Sequence, residues 1–125
     1  MNIDDHSFHD SLILGVTENT QDHYLDFVLD FPTNWEDNIF EQRVLRFTDV
    51  TFYGIDEIPF FGQPAISEII NMGQVTKSWG TKRNRIEATK TKIEIQTNAG
   101  TRIIEFGECF FMEKPDIDKN LHDDR

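Results

Sequence analysis

His23-Tyr24-Leu25-Asp26-Phe27-Val28-Leu29-Asp30-Phe31 is the most regular stretch of this chain. Leu25, Phe27, Leu29 and Phe31 share one parity, and Tyr24, Asp26, Val28 and Asp30 share the other. Side chains alternate between the two faces of a strand, so this pattern predicts an antiparallel strand with one buried and one wet face. Pro32 is expected to end it, because proline has no N–H for the ladder.

Working outward, residues 11–16 read as a first strand and 18–22 as a turn. Residues 33–38 form an acidic turn containing Trp35. Residues 39–47 and 50–55 are strand-like. The apolar parity changes between Leu45/Phe47 and Val50/Phe52, which predicts a bulge or bend near Thr48-Asp49. Residues 82–88, 90–97 and 101–112 read as closing strands. Asn98-Ala99-Gly100 suits a hairpin loop, with Gly100 free to take a positive φ, and a second bulge is expected at Gly107. Residues 64–72 read as one short helix: Pro64 suits a first turn, Gly73 a stop, and Ile66, Ile69 and Ile70 make an i, i+3, i+4 stripe.

The fold class expected is therefore mainly β (α+β): an antiparallel sheet, either a curled half-barrel or a two-layer sandwich, with one short helix near 64–72. Residues 1–112 are expected to form a single antiparallel β domain, and residues 113–125 a polar, frayed C-terminal tail. Eleven Phe and two Trp supply enough large side chains for a core despite a hydrophobic fraction of 38%.

Charge is distributed unevenly. Residues 1–73 carry fourteen acids against only Arg43 and Arg46, a net charge of −12 in a chain whose total is −11. Residues 74–112 carry seven basic residues against four Glu, a net of +3. Such an acidic domain repels nucleic acid and anionic membrane surfaces and attracts basic proteins. Trp79-Gly80-Thr81-Lys82-Arg83-Asn84-Arg85 has the composition of a single-strand contact, but its three basic residues are a small footprint against the total charge. No nucleic-acid partner is expected.

Motifs for chemistry are sparse. His6-Ser7-Phe8-His9-Asp10 is the one cluster with metal-ligand residue types, and no second His or Cys pair follows it. Hydrogen bonding of His9 or Asp10 to backbone beside the first strand is the simpler reading, and no metal or other cofactor is expected. Asp26 and Asp30 lie about 13 Å apart along one strand, too far to share a proton. There is no Gly-x-Ser-x-Gly and no glycine-rich phosphate loop, so no enzymatic activity is expected. The lone Cys109 sits among apolar residues as a small buried hydrophobe. The acidic start has no apolar run of signal-peptide type and no stretch reaches membrane-spanning length, so cytoplasmic residence is the expectation.

The candidate partner-binding set is Asp22, Tyr24, Asp26, Asp30, Trp35, Glu36, Asp37, Asp49, Asp56 and Glu57. Carboxylates steer a basic partner and aromatic anchors supply binding energy, although the same charge also serves solubility alone. The opposed charges of residues 1–73 and 77–92 leave a homodimer open as well.

The opening Ser7-Phe8-His9-Asp10-Ser11-Leu12-Ile13, with Leu25-Asp26-Phe27-Val28-Leu29-Asp30-Phe31 and Val44-Leu45-Arg46-Phe47, resembles a group of small bacterial proteins. These begin with Phe-His-Asp-Ser or Phe-His-Asp-Ala before a first strand, and some are assigned as immunity proteins of polymorphic or contact-dependent growth inhibition toxin systems. The likeness spans roughly the first third to half of the chain, and Phe60-Phe61-Gly62 has no counterpart in it. It implies a cytoplasmic, non-catalytic antitoxin that blocks a toxin domain, often a nuclease with a basic groove. The alternative is a self-associating structural or regulatory domain.

Overall fold

In the computed structural model, which describes residues 2–59 and 61–113, the alternating stretch lies in β2 (Tyr24–Asn34) at the centre of the fold. β2 pairs with β1 (Leu12–Asn19) on one side and β3 (Ile39–Thr48) on the other, and β8 (Glu108–Glu113) completes a four-stranded antiparallel sheet in the order β1-β2-β3-β8. A second sheet has the order β4-β7-β6-β5, built from β4 (Phe52–Glu57), β5 (Ile66–Trp79), β6 (Ile86–Thr97) and β7 (Gly100–Phe106). Neither sheet closes into a barrel. A 3-10 turn, Ile3–Asp5, precedes them, capped by Asn2.

The core lies between the two sheets. Phe27, Leu29, Leu45 and Phe47 face Ile66, Ile93, Ile95, Ile104 and Phe106. Phe47 meets Phe106 edge-on at 4.8 Å between ring centroids, and Phe27 meets Tyr53 at 5.7 Å. These edge-to-face pairs tie one layer to the other. The parity read from the sequence for Leu25, Phe27 and Leu29, and for Ile93, Ile95 and Ile104, is the buried one.

The helix expected at 64–72 is absent. Residues 66–79 form β5, and the reason is visible in the register. Ile66 pairs with Thr97 and Ile69 with Ile95, with a bulge at Ile66/Glu68 between them. A bulge adds one residue, so two side chains three apart point to one face, which mimics the spacing of a helix. A second bulge between Asn71 and Gln74 takes up Gly73 at φ 86°, the conformation that the sequence suggested for a helix stop. The β-branched isoleucines suit the strand.

Other boundaries also shift. Pro32 does not end β2, which continues to Asn34; β1 pairs with β2 only as far as Asp30, so Pro32 sits where no β1 ladder needs its N–H. Residues 82–97 hold one strand, β6, instead of two. The two predicted bulges turn out to be crossings between sheets. The chain leaves the first sheet after Thr48 through Asp49 (φ 50°) and returns to it at Gly107, whose N–H donates to the Thr48 carbonyl at 2.9 Å. A Cβ at Gly107 would lie 3.1 Å from that of Asp49, so the two crossings pass in close contact. Glu113, the first residue of the expected tail, ends β8, and residues 114–125 lie outside those described.

The Phe-His-Asp-Ser segment staples the two sheets along one side. Phe8 is buried and packs edge-on against Phe111 and Phe31. Asp10, at φ 65°, donates its N–H to the Ile66 carbonyl, Ile66 donates back to Ser11, and Leu12 bridges to Ala65. His9 Nδ1 lies 2.8 Å from the Ser67 carbonyl oxygen. This is the backbone hydrogen bonding expected beside the first strand.

Candidate interaction surface

The ten acidic and aromatic residues singled out from the sequence do not form one patch. Tyr24 and Asn34 are the two ends of β2, which places the Asp22/Tyr24/Asp49 group roughly 34 Å from the Trp35/Glu36/Asp37 group. Asp56 and Glu57 belong to β4 in the other sheet.

Two of the ten are internal. Asp26 was expected on a wet face, yet its side chain is only 6% exposed. Its two oxygens accept from Arg46 Nε at 2.7 Å and Nη2 at 2.8 Å, and Asp26 and Arg46 are direct cross-strand partners. The Arg46 guanidinium also lies 3.8 Å from the centre of the Tyr24 ring. Asp26 is thus neutralised within the sheet, because the register of β2 with β3 sets it opposite the one guanidinium that can satisfy both of its oxygens. Glu57 is likewise consumed. It accepts from Arg102 Nε at 2.8 Å and Nη2 at 2.9 Å, and Arg102 Nη1 reaches the Tyr53 hydroxyl at 3.2 Å. Burial is the largest single influence and works against the Arg102 charge, but Glu57 and Tyr53, through hydrogen bonds and charge, together outweigh it and hold the guanidinium above its ordinary pKa. Burial pushes the Tyr53 hydroxyl up, against the pull of Arg102.

Asp22, Glu36, Asp37, Asp49 and Asp56 are exposed, and Asp30 is partly so. At the tip between β2 and β3, Trp35 is 58% exposed and its ring stacks on His9 at 6.0 Å. Asn34 holds that tip through hydrogen bonds with the Asp37 carboxylate and N–H, both at 3.1 Å. His9 is therefore engaged with Ser67 and Trp35, and His6 packs against Phe111 at 4.9 Å. Among the described residues no three His, Cys, Asp or Glu side chains are placed to share a metal ion.

The opposite end of β2 is concave. A cleft of about 490 Å³ opens there between the β1–β2 turn and the crossing into β4. Tyr24, Phe52 and Tyr53 give it aromatic walls, and Glu18, Asn19 and His23 give it polar ones. The Asp49 N–H donates to the His23 carbonyl at 3.1 Å, which draws the two loops together. Asp22 and Asp49 are exposed chain neighbours of the lining residues His23 and Val50, but neither lines the cleft, and the Asp49 carboxylate lies against Gly107. Of the ten residues singled out from the sequence only Tyr24 lines the cleft; Glu18, His23 and Phe52 were missed. The cleft is assembled from two segments that only the crossing at Asp49 brings together.

Sequence reasoning also missed an apolar row on the outer face of the first sheet. Val28, Val44 and Met112 are in cross-strand register there, and Phe110 extends the row beside Arg46. Its signal was present in the sequence as Val28 between Asp26 and Asp30, but the charged neighbours hid it. No helix among the described residues is long and apolar enough to cross a membrane. No protein-family model, no curated protein and no solved structure matches the chain.

Proposed function

We propose that this chain is an acidic binding module that works as a bacterial immunity protein, neutralising a toxin domain by covering its basic surface, without catalysis and in the cytoplasm. The observation that carries the reading is the cleft at the β1–β2 end. The carboxylate of Glu18 lines it together with the rings of Tyr24, Phe52 and Tyr53, and the exposed Asp22 lies in the β1–β2 turn that forms one of its walls. A lysine or arginine from a partner finds in such a cleft both opposite charge and aromatic faces. Tyr24 already holds the Arg46 guanidinium over one ring face, which displays the same chemistry within the chain. The net charge of −11 supplies the long-range attraction that speeds encounter with a basic domain. Trp35, exposed between acids at the far tip, offers a second anchor.

The test is a titration against the toxin domain encoded beside this gene, at 20 and 300 mM salt. The expected result is tight binding, with an on-rate that falls roughly tenfold or more as salt rises. Glu18→Lys with Asp22→Lys, both at exposed positions, should slow association at low salt while leaving the melting temperature within a few degrees. Absence of binding at both salts, or an on-rate indifferent to salt and to these reversals, removes the reading.

A further inference from the structure

β5 and β6 are far longer than the strands they accompany. β7 pairs with β6 only over Thr91–Gln96. Residues 74–79 of β5 and 86–90 of β6 therefore continue as a two-stranded ribbon, about 17 Å past the last β7 pair, ending in the loop 80–85. A two-stranded hairpin is marginal in water by itself. This one is braced at its root. Lys77 Nζ lies 2.7 Å from Glu105 Oε1, a carboxylate only 5% exposed, and 5.4 Å from the centre of the Phe52 ring. Farther out, Arg85 Nη2 reaches Glu87 at 3.1 Å and the Ser78 hydroxyl at 3.0 Å. Gly80, at φ 94°, makes the turn where any Cβ would run into the Asn84 carbonyl.

The braced ribbon presents two features. Trp79 and Ile86 are cross-strand partners and remain 42% and 65% exposed. Residues 74–90 carry five basic residues against one Glu, a net of +4, which leaves −15 for the rest of the chain. Lys82 and Arg83 have no ion pair among the described residues.

A rigid basic prong with an apolar pair near its tip is suited to an acidic protein surface. We infer that this arm docks on the acidic body of a second copy of the chain, each copy offering its arm to the other. The charge balance selects the occupant. Nucleic acid would bring polyanion against a body of net −15. A basic partner of the kind drawn to the acidic cleft would be repelled by the arm. The second copy alone supplies acid for the arm and an arm for the acid. Reciprocal exchange about a two-fold axis forms both contacts at once, and closure prevents further growth. The inference stands apart from the proposed immunity role, since a monomer could bind a toxin and a dimer could lack one.

Sedimentation equilibrium of the full chain tests it, at 20 and 300 mM salt and up to several hundred micromolar protein. The expected result is twice the 14.6 kDa chain mass at low salt, with dissociation at least tenfold weaker-bound at high salt. K82E/R83E, which changes only exposed loop residues, should weaken the dimer at least tenfold with unchanged circular dichroism and melting temperature. Trp79→Ala should weaken it by a similar factor at both salts. A 14.6 kDa monomer throughout overturns the inference. So does a dimer unaffected by K82E/R83E and by Trp79→Ala, which would be built on another face.

Discussion

Replacing Arg46 by Met removes the counter-ion of Asp26 while keeping most of the volume of its stem. The abandoned carboxylate is 6% exposed and loses two hydrogen bonds, at 2.7 and 2.8 Å. Removing one partner of a fully buried pair costs about 3–5 kcal/mol. Arg46 retains 22% exposure, so water can reach part of the vacated space, and the expected cost falls to about 2–3 kcal/mol. A domain of this size loses about 3–5 °C per kcal/mol, so the melting temperature should drop by roughly 6–15 °C. Urea unfolding followed by tryptophan fluorescence, with thermal scans by circular dichroism, gives both numbers. The companion variants are Asp26→Leu alone and Asp26→Leu with Arg46→Met. Replacing both charges removes the unpaired carboxylate, and this double variant should lie within about 1 kcal/mol of wild type. The coupling between the two positions in a double-mutant cycle should therefore reach about 2 kcal/mol. Should Arg46→Met cost less than about 0.5 kcal/mol, with the double variant simply additive, the pair is screened by solvent and Asp26 belongs again among the free surface acids. Asp26→Lys is expected to unfold the sheet by setting two cations opposite each other, so it cannot serve as a probe of partner binding.

Alkaline pH should weaken the fold. Burial raises the pKa of the Cys109 thiol above 9.0 and of the Tyr53 hydroxyl above 10.0, so the folded chain keeps protons that the unfolded chain sheds. Their stabilising effect is complete below those unfolded values and is lost as pH rises through the folded ones; urea midpoints at pH 7, 9 and 10.5 should fall in that order, and Cys109→Ala should flatten the first step. Gly100→Ala should destabilise by about 2–4 kcal/mol in urea titrations, because its φ is 151° and a methyl group would collide with the Asp56 carbonyl and force β4 off β7. Trp35→Ala should leave the unfolding free energy within about 0.5 kcal/mol yet, on the proposed immunity role, weaken binding of the toxin domain by about 2 kcal/mol; equal affinities would take the tip out of the interface.

The alternation of residues 24–31 determined the central strand and its buried face, since the pleat fixes which side chains share a side. The isoleucines at 93, 95 and 104 were legible for the same reason. Composition determined the acidic character and the placement of basic residues in 74–92. The helix at 64–72 was misread because a bulged strand and a helix share the i, i+3 spacing, and only pairing with β6 separates them. The parity breaks at Thr48-Asp49 and Gly107 were visible, but not that they carry the chain between two sheets, because a change of sheet and a bulge leave the same trace in one strand's pattern. Charge counting named ten surface residues. Tertiary structure withdrew Asp26 and Glu57 into ion pairs with Arg46 and Arg102, set most of the others at opposite ends of a strand and Asp56 in the second sheet, and joined two distant loops into a cleft. Sequence alone determined which residues alternate and which carry charge, because those are local properties. Which charges meet an opposite charge, and which loops share a cavity, was decided by register and sheet crossing, whose contacts link residues far apart in the chain.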